Sequence, residues 1–222
     1  MQRAVVVGNS DGIGLALTRR LLADGWAVTG ISRRDSPVSH ERYEHRTVDV
    51  TDPAYPAAVP ADVDLCVYAA GVGEQFDPAD LAAQTRAFEV NLLGAARTLE
   101  VVVPAMVAAG RGHVIGLSSL ADVLISPDAP GYAASKAGLS AYLLGLSTAL
   151  RRHGVAVTTV RFGFVDTKMA KGGAAKPMLL TVAEAVEVIM RCVRRRPAVV
   201  SYPRRMSVAA RVLRVVTRAT LR

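Results

Sequence analysis

The sequence predicts an α/β protein built on a single doubly wound parallel sheet with helices on both faces. Two observations carry that expectation. Short β-branched runs alternate with stretches of helical period along most of the chain. The strand runs are also apolar throughout rather than at every second residue, as strands buried on both faces are. With 51% hydrophobic residues in 222, the chain has ample material for one large core.

The elements follow in order. "AVVV" from Ala4 reads as a buried strand, and "LALTRRLLADG" (15–25) as a helix with Leu15, Leu21 and Leu22 on its apolar side and Gly25 as its stop. "AVTGIS" (27–32), "RTVDV" (46–50) and "VDLCVYAAG" (63–71) give three more strands. A long helical pattern covers Pro78 to Ala109. "GHVIGLSS" (112–119) is the fifth strand, Tyr132 to Arg151 a helix, and "VAVTTVRFG" (155–163) the sixth strand. A helix over 181–195 and a strand over 198–203 complete the pattern. One dinucleotide-sized domain thus accounts for residues 1–203, leaving 204–222 as a basic amphipathic C-terminal helix or tail.

Composition narrows the function classes. The two cysteines, Cys66 and Cys192, and the four histidines, His40, His45, His113 and His153, show no metal-ligand spacing, so no metal site is expected. The N-terminal stretch has too short an apolar run for a signal peptide, and no uninterrupted apolar segment reaches the length of a membrane span. A cytoplasmic protein is expected. The net charge of +8 is concentrated at one end: ten arginines and no acid lie between Arg191 and Arg222. The main body is near neutral, which argues against nucleic acid as a partner.

The turn "VVVGNSDGIGLAL" between the first strand and first helix carries Gly8, Gly12 and Gly14. Glycines there allow a tight turn, a close approach of backbone to a diphosphate, and close packing of helix on sheet. Free N–H groups at the helix start, around Ser10, Asp11, Gly12 and Ile13, face the phosphates, and Ser10 or Asp11 can cap the helix. The second strand ends in Ser32-Arg33-Arg34. An acid at this point would bind the ribose of NAD, whereas arginine suits a 2′-phosphate. NADP(H) is therefore favoured over NAD(H), although Asp11 partly opposes the phosphate.

Taken together, these residues resemble the short-chain dehydrogenase/reductase (SDR) family. The resemblance spans residues 4 to about 203. It rests on Gly8-Gly12-Gly14, Asp49-Val50, Asn91 in "VNLLGA", Ser119 in "GLSSLAD", Tyr132-x-x-x-Lys136, and Gly163 and Thr167 in "RFGFVDT". Two departures stand out. The family's Asn-Asn-Ala-Gly is Tyr68-Ala69-Ala70-Gly71, which loses an asparagine on the adenine side. Its Pro-Gly is Phe162-Gly163. The resemblance implies a Rossmann-like fold and hydride transfer between a nicotinamide cofactor and a carbonyl or alcohol. It implies Asn91, Ser119, Tyr132 and Lys136 as the catalytic set. Tyr132 would move the proton, Ser119 would bind the substrate oxygen, and Asn91 would hold a water in a relay through its helix. Lys136 would bind the nicotinamide ribose. Ala70, Gly71, Gly163, Val165 and Thr167 would line the cofactor, with Thr167 at the carboxamide. A homodimer or homotetramer, assembled through the helices carrying Asn91 and Tyr132, is also implied.

The tyrosine–lysine spacing has its own physics. Residues four apart share a helix face, with Cβ atoms about 6 Å apart. A phenol acting near pH 7 needs its pKa lowered by about three units, and a lysine charge about 6 Å away supplies about two in an effective dielectric of about 20. Lys136 is therefore expected to be the largest single influence on Tyr132.

On the substrate side, Leu120, Val123, Leu124, Phe162 and Phe164 are candidate walls. The loop 168–180 offers Met169, Met178 and Leu179 as covers, suited to an apolar substrate, and Lys168, Lys171 and Lys176 as attractors of an anionic one. The tail aligns Arg211, Arg214, Arg218 and Arg222 beside Val208, Val212, Val215 and Ala219. Such a stripe suits an anionic membrane surface, a partner, or packing on its own domain. The rival to an enzyme is a nucleotide-sensing protein of the same fold that engages a partner or membrane through this tail.

Overall fold

The computed structural model describes residues 1–170 and 176–210. Seven strands form one all-parallel sheet in the order β3-β2-β1-β4-β5-β6-β7. They are β1 (Arg3–Val7), β2 (Ala27–Ser32), β3 (Tyr43–Thr47), β4 (Leu65–Tyr68), β5 (Gly112–Ser119), β6 (Val155–Phe162) and β7 (Val199–Tyr202). The helices are α1 (Gly12–Ala23), α2 (Ala82–Phe88), α3 (Gly94–Ala108), α4 (Pro130–Leu150) and α5 (Val182–Arg195). Leu17 and Leu21 of α1 and Ile189 and Cys192 of α5 cover one face of the sheet. Leu99, Val102 and Met106 of α3 and Leu139 and Leu143 of α4 cover the other. This is the doubly wound architecture expected from the all-apolar strands.

Most expected elements fall within a few residues of those observed. The third strand does not: it runs over Tyr43–Thr47, not 46–50. It is the edge strand, and its residues are half-buried and exposed in turn, so the apolar Val48 and Val50 beyond it misled a reading based on hydrophobicity. Val48 nevertheless extends the pairing by donating its N–H to the Ser32 carbonyl at 3.0 Å. Asp49 and Val50 therefore sit in the loop after β3.

The long helical pattern is one 27-residue helical run, Ala82–Ala108, long and apolar enough by length and composition to cross a membrane. Its inner face (Ala87, Val90, Ala95, Leu99, Val102 and Met106) is buried in this protein's own core. The run is interrupted by a π-helical turn over Glu89–Leu93, where the Gly94 N–H reaches back to the Glu89 carbonyl instead of Val90. The Tyr68 hydroxyl donates to the Val90 carbonyl so released. Tyr68, one of the two departures from the family pattern, thus secures the turn that holds Asn91.

Residues 204–210 are helical and follow β7 directly. Ser207 and Ala210 are buried, and a side chain at Gly163 would collide with Met206 Sδ. The start of the C-terminal segment therefore packs on the domain. Lys171 and the stripe residues from Arg211 onward lie outside the described residues.

Candidate active site

Strand order reverses between β1 and β4, and a crevice opens beyond the strand ends there, where ligands bind in open α/β sheets. A cavity of about 800 Å³ occupies that position. Its wall is assembled from the ends of β1, β2, β4, β5 and β6. Every residue expected at the cofactor lines it: Gly8, Ser10, Asp11, Gly12, Ile13, Gly14, Ser32, Arg33, Arg34, Asp49, Val50, Ala70, Gly71, Tyr132, Lys136, Gly163, Val165 and Thr167. Ser119 lines it too.

The glycine-rich turn is shaped by backbone contact. Gly8 has φ +88°, and a Cβ there would lie 2.5 Å from the Ala70 nitrogen. A Cβ on Gly14 would lie 2.1 Å from the Gly8 carbonyl oxygen. Asp11 caps α1, accepting from the Gly12 N–H at 2.8 Å. Its carboxylate pairs with Lys168 at 2.7 Å and Arg34 at 3.8 Å. Lys168, the Gly12 N–H and Arg34 hold that carboxyl below its ordinary range against a small opposing effect of burial. The loop after β6 thus crosses to the glycine turn, and the Thr167 methyl stands 3.2 Å from where a Gly12 side chain would begin.

At the adenosine end, Ser32 spends its hydroxyl on the Arg34 carbonyl at 2.7 Å. His45 Nε2 lies 3.1 Å from the same oxygen, and its Nδ1 lies 2.8 Å from the Tyr43 hydroxyl. Tyr43 in turn accepts from Asn9 Nδ2. This chain ties the arginine loop to the glycine turn. Arg33 stands 3.9 Å and Arg86 3.0 Å from Asp49 Oδ2. Burial pushes the Asp49 carboxyl up, but the Thr51 N–H and hydroxyl, Arg86 and Arg33 outweigh it and hold the group below its usual range.

At the other end, Ser119 closes β5 and opens a 3-10 turn, Leu120–Val123, accepting from the Ala121 N–H at 3.1 Å. Its own proton is left to be donated. The Tyr132 ring packs against Gly73, where a Cβ would come 2.7 Å from the ring. Lys136 donates to the Leu117 carbonyl at 2.8 Å, leaving two N–H bonds for other acceptors. Burial pushes its amine down to about 8.

Two expectations change, for Tyr132 and for the substrate walls, and Asn91 takes a place behind the cavity. Burial, the largest influence on Tyr132, pushes its phenol up; the Ser119 hydrogen bond opposes this and the Asp122 charge adds to it. Lys136 is not the dominant influence, because its ammonium faces the ring and the Leu117 carbonyl. Asn91 does not reach the cavity wall. It is fully buried behind it, accepting from Val72 N–H at 2.8 Å and donating to the Val72 carbonyl and Ser135 Oγ at 2.9 Å each. It thereby pins the β4 loop to α4. Finally, Leu120, Leu124, Phe162, Phe164 and Met169 line the cavity, whereas Val123, Met178 and Leu179 do not.

Several residues escaped the sequence reading. Val72 to Gln75 form one lip of the cavity, and Met206, Ala209 and Ala210 form part of its far wall. Gln84 is buried, accepts from the Gly131 N–H at 3.0 Å and donates to the Glu74 and Gln75 carbonyls. It anchors that lip to the start of α4. Nothing local in the sequence marks these positions, since each acts on a residue far away in the chain.

With this geometry in place, the comparisons with known proteins decide the family. Residues 2–177 match the short chain dehydrogenase family. The chain is a short-chain dehydrogenase. An uncharacterized oxidoreductase of Myxococcus xanthus is 33% identical over 96% of this chain and 92% of its own length. The cis-4-hydroxycyclohexanecarboxylate dehydrogenase of Sinomonas cyclohexanicum is 30% identical over 76% of this chain and 75% of its own. The structure of a short chain dehydrogenase from Burkholderia cenocepacia in complex with NADP superimposes with a TM-score of 0.86 at 25% identity, covering 100% of this chain and 97% of that one. This short-chain dehydrogenase is accordingly an oxidoreductase with a nucleotide-binding fold, and the non-catalytic alternative is not favoured.

Proposed function

We propose that this enzyme is an NADP(H)-dependent oxidoreductase that interconverts a carbonyl and an alcohol on a largely apolar substrate. The observation that carries the reading is that Ser119, Tyr132 and Lys136 share one cavity with a glycine floor and a pair of arginines. The residues fit a dinucleotide: Gly8 and Gly14 leave no room for side chains, α1 presents its N-terminus, and Arg33 and Arg34 supply cations at the adenosine end.

When bound, the cofactor supplies the hydride to the carbonyl carbon. The Tyr132 phenol gives its proton to the carbonyl oxygen, which becomes the alcohol hydroxyl. Ser119 donates a hydrogen bond to that oxygen and holds it over the phenol. Lys136, held by the Leu117 carbonyl, keeps two N–H bonds that would bind the nicotinamide ribose. Arg33 and Arg34 favour the 2′-phosphate. Leu124, Phe164, Met169 and Met206 give the substrate end an apolar wall, in keeping with the alicyclic substrate named for the Sinomonas relative. Leu81 just before the long helical run, Phe88 and Leu93 on it, and Tyr142 and Leu144 on α4 are exposed, which supports a homodimer or homotetramer. Cofactor oxidation measured with NADPH and NADH across a panel of ketones and aldehydes tests the reading. Turnover that prefers NADPH supports it, and a preference for NADH overturns the cofactor assignment.

A further inference from the structure

The far wall of the cavity ends in an exposed apolar rim, where three segments meet. The chain leaving β6 pairs with the segment before α5: Val165 bridges Leu180, the Leu180 N–H donates to the Phe164 carbonyl at 2.9 Å, and the Asp166 N–H donates to the Leu180 carbonyl at 2.8 Å. Just before, the Gly163 N–H donates to the Tyr202 carbonyl at 2.9 Å, and a side chain at Gly163 would meet Met206 of the helix over 204–210. Successive residues of extended chain point to opposite sides, so burying Val165 and Leu180 turns Phe164 and Leu179 outward. Phe164, Met169, Met178, Leu179 and Val208 are all exposed, from 40% for Phe164 to 62% for Val208. Phe164 and Met169 also line the cavity, as do Pro177 next to Met178 and Met206 and Ala209 flanking Val208.

Single exposed apolar residues need no explanation, but a cluster at the mouth of a cavity does. The charge beside this cluster is largely of one sign. Residues 163–170, 176–180 and 203–210 hold Lys168, Lys176, Arg204 and Arg205 against one acid, Asp166. Lys168 is paired with Asp11, whereas Arg204 and Arg205 are exposed on the helix that carries Val208. The sequence after Arg205 adds four more arginines and no acid. The lip formed by Val72 to Gln75 is the reverse: residues 72–80 carry Glu74, Asp77 and Asp80 and no base. Only the far wall therefore suits an anionic surface. A second copy docked symmetrically on this wall would set Arg204 and Arg205 against their own equivalents. Apolar side chains among cations suit a lipid surface instead, where the former enter the headgroup boundary and the latter stay among the lipid charges.

We propose that the far wall of the cavity is a docking face for an anionic lipid bilayer, so that the mouth of the active site opens at the membrane and admits apolar substrates from it. Delivery of substrate rests on the function proposed above, whereas the docking does not. The face is more than the C-terminal segment, because Phe164, Met178 and Leu179 belong to the connection between β6 and α5.

The test is co-sedimentation of the full chain, without substrate, with vesicles of phosphatidylcholine alone or mixed with an equal part of phosphatidylglycerol. Wild type is expected to bind the mixed vesicles at least about tenfold better at low salt, and to lose most of that preference at physiological ionic strength, where screening acts within about 8 Å. Met178→Asn with Leu179→Ser keeps every arginine, and asparagine suits the left-handed backbone at Met178, φ 51°. This change is expected to weaken binding about tenfold. Arg204→Gln with Arg205→Gln is expected to weaken it about twentyfold at low salt, each basic residue near an anionic surface being worth about fivefold. Melting and cofactor affinity should stay near wild type in both. Absence of binding to the mixed vesicles overturns the proposal. So does binding undiminished by the Met178 and Leu179 changes, which would assign the contact to the tail alone. A changed oligomeric state in that variant with unchanged vesicle binding would assign the face to a second copy and overturn it too. If that variant does not fold, Val208→Ser carries the same test. An inactive ketone panel would sink the proposed function yet leave the vesicle result to decide this one.

Discussion

Lys136 Nζ sits 5.8 Å from the centroid of the Tyr132 ring, over its face rather than at its hydroxyl, and donates to the Leu117 carbonyl. The lysine is buried at 5% exposure, and among the described residues no carboxylate pairs with it. Burying such a charge costs stability.

Lys136→Met is therefore expected to reduce turnover by a factor of about 10² or more while leaving the protein at least as stable as wild type. The sign follows from the depressed pKa. Folded Lys136 titrates at about 8 and the unfolded residue near 10.5. Between those values the unfolded state binds more protons, so wild-type stability rises with pH across that window by at most about 3 kcal/mol. Urea melts at pH 7.5 and 9.5 should show that rise in wild type and its loss in the variant. A clear destabilisation of the variant at pH 7 would contradict the account.

His113 makes a prediction on the acid side. It is 2% exposed, and its Nε2 faces Thr158 Oγ1 at 2.8 Å while Thr158 donates to the Pro197 carbonyl. That polarity makes Nε2 the protonated nitrogen and leaves Nδ1 with no partner. A second proton would be buried without an acceptor, so burial pushes the imidazole down to about 4. The folded pKa lies below the unfolded one. The stabilisation is complete above about pH 6.5 and fades as pH falls toward 4, by at most about 3 kcal/mol. Chemical denaturation at pH 7 and 5 should show the loss, and His113→Asn should flatten it. Equal slopes in the two proteins would contradict the assignment.

Arg33→Ala is expected to weaken NADPH binding about 10-fold or more and NADH binding little, as one charge-assisted phosphate contact is worth about 1.5–3 kcal/mol. The lower end applies, because Arg33 must leave Asp49, 3.9 Å away, to serve a phosphate. Fluorescence titration of both cofactors decides it, and equal losses for the two would remove Arg33 from the phosphate site.

The C-terminal segment offers a further test. Met206, Ala209 and Ala210 form part of the cavity wall. Met206→Ala should raise kcat/KM for bulkier ketones relative to smaller ones, by several-fold for each methylene accommodated. A chain ending at Pro203 should lose substrate affinity as well as stability. An unchanged substrate ranking in Met206→Ala would place the residue outside the substrate wall.

What was legible in the sequence was what is local in it. Tyr132 and Lys136 are one helical turn apart, and Gly8, Gly12 and Gly14 lie in one turn, so pattern alone brought them together. Strands β1, β5 and β6 announced themselves because both of their faces are buried. Strand β3 did not, since an edge strand of half-buried polar residues carries no apolar run. The Arg161–Asp122 pair joins residues 39 apart, and the Gly73–Tyr132 contact crosses from one loop to a distant helix. No periodicity encodes such contacts. The error about Lys136 has the same origin: spacing gives a distance along a helix, whereas burial and the Leu117 carbonyl decide where the ammonium points.

The most direct test of the account is NADPH consumption by wild type and Tyr132→Phe with a ketone from the panel, alongside NADPH affinity for each. Loss of the phenol proton alone should reduce turnover by at least about 10² while NADPH affinity stays within a few-fold. Turnover by Tyr132→Phe within about tenfold of wild type would contradict the assignment of Tyr132 as the proton donor, and with it the mechanism.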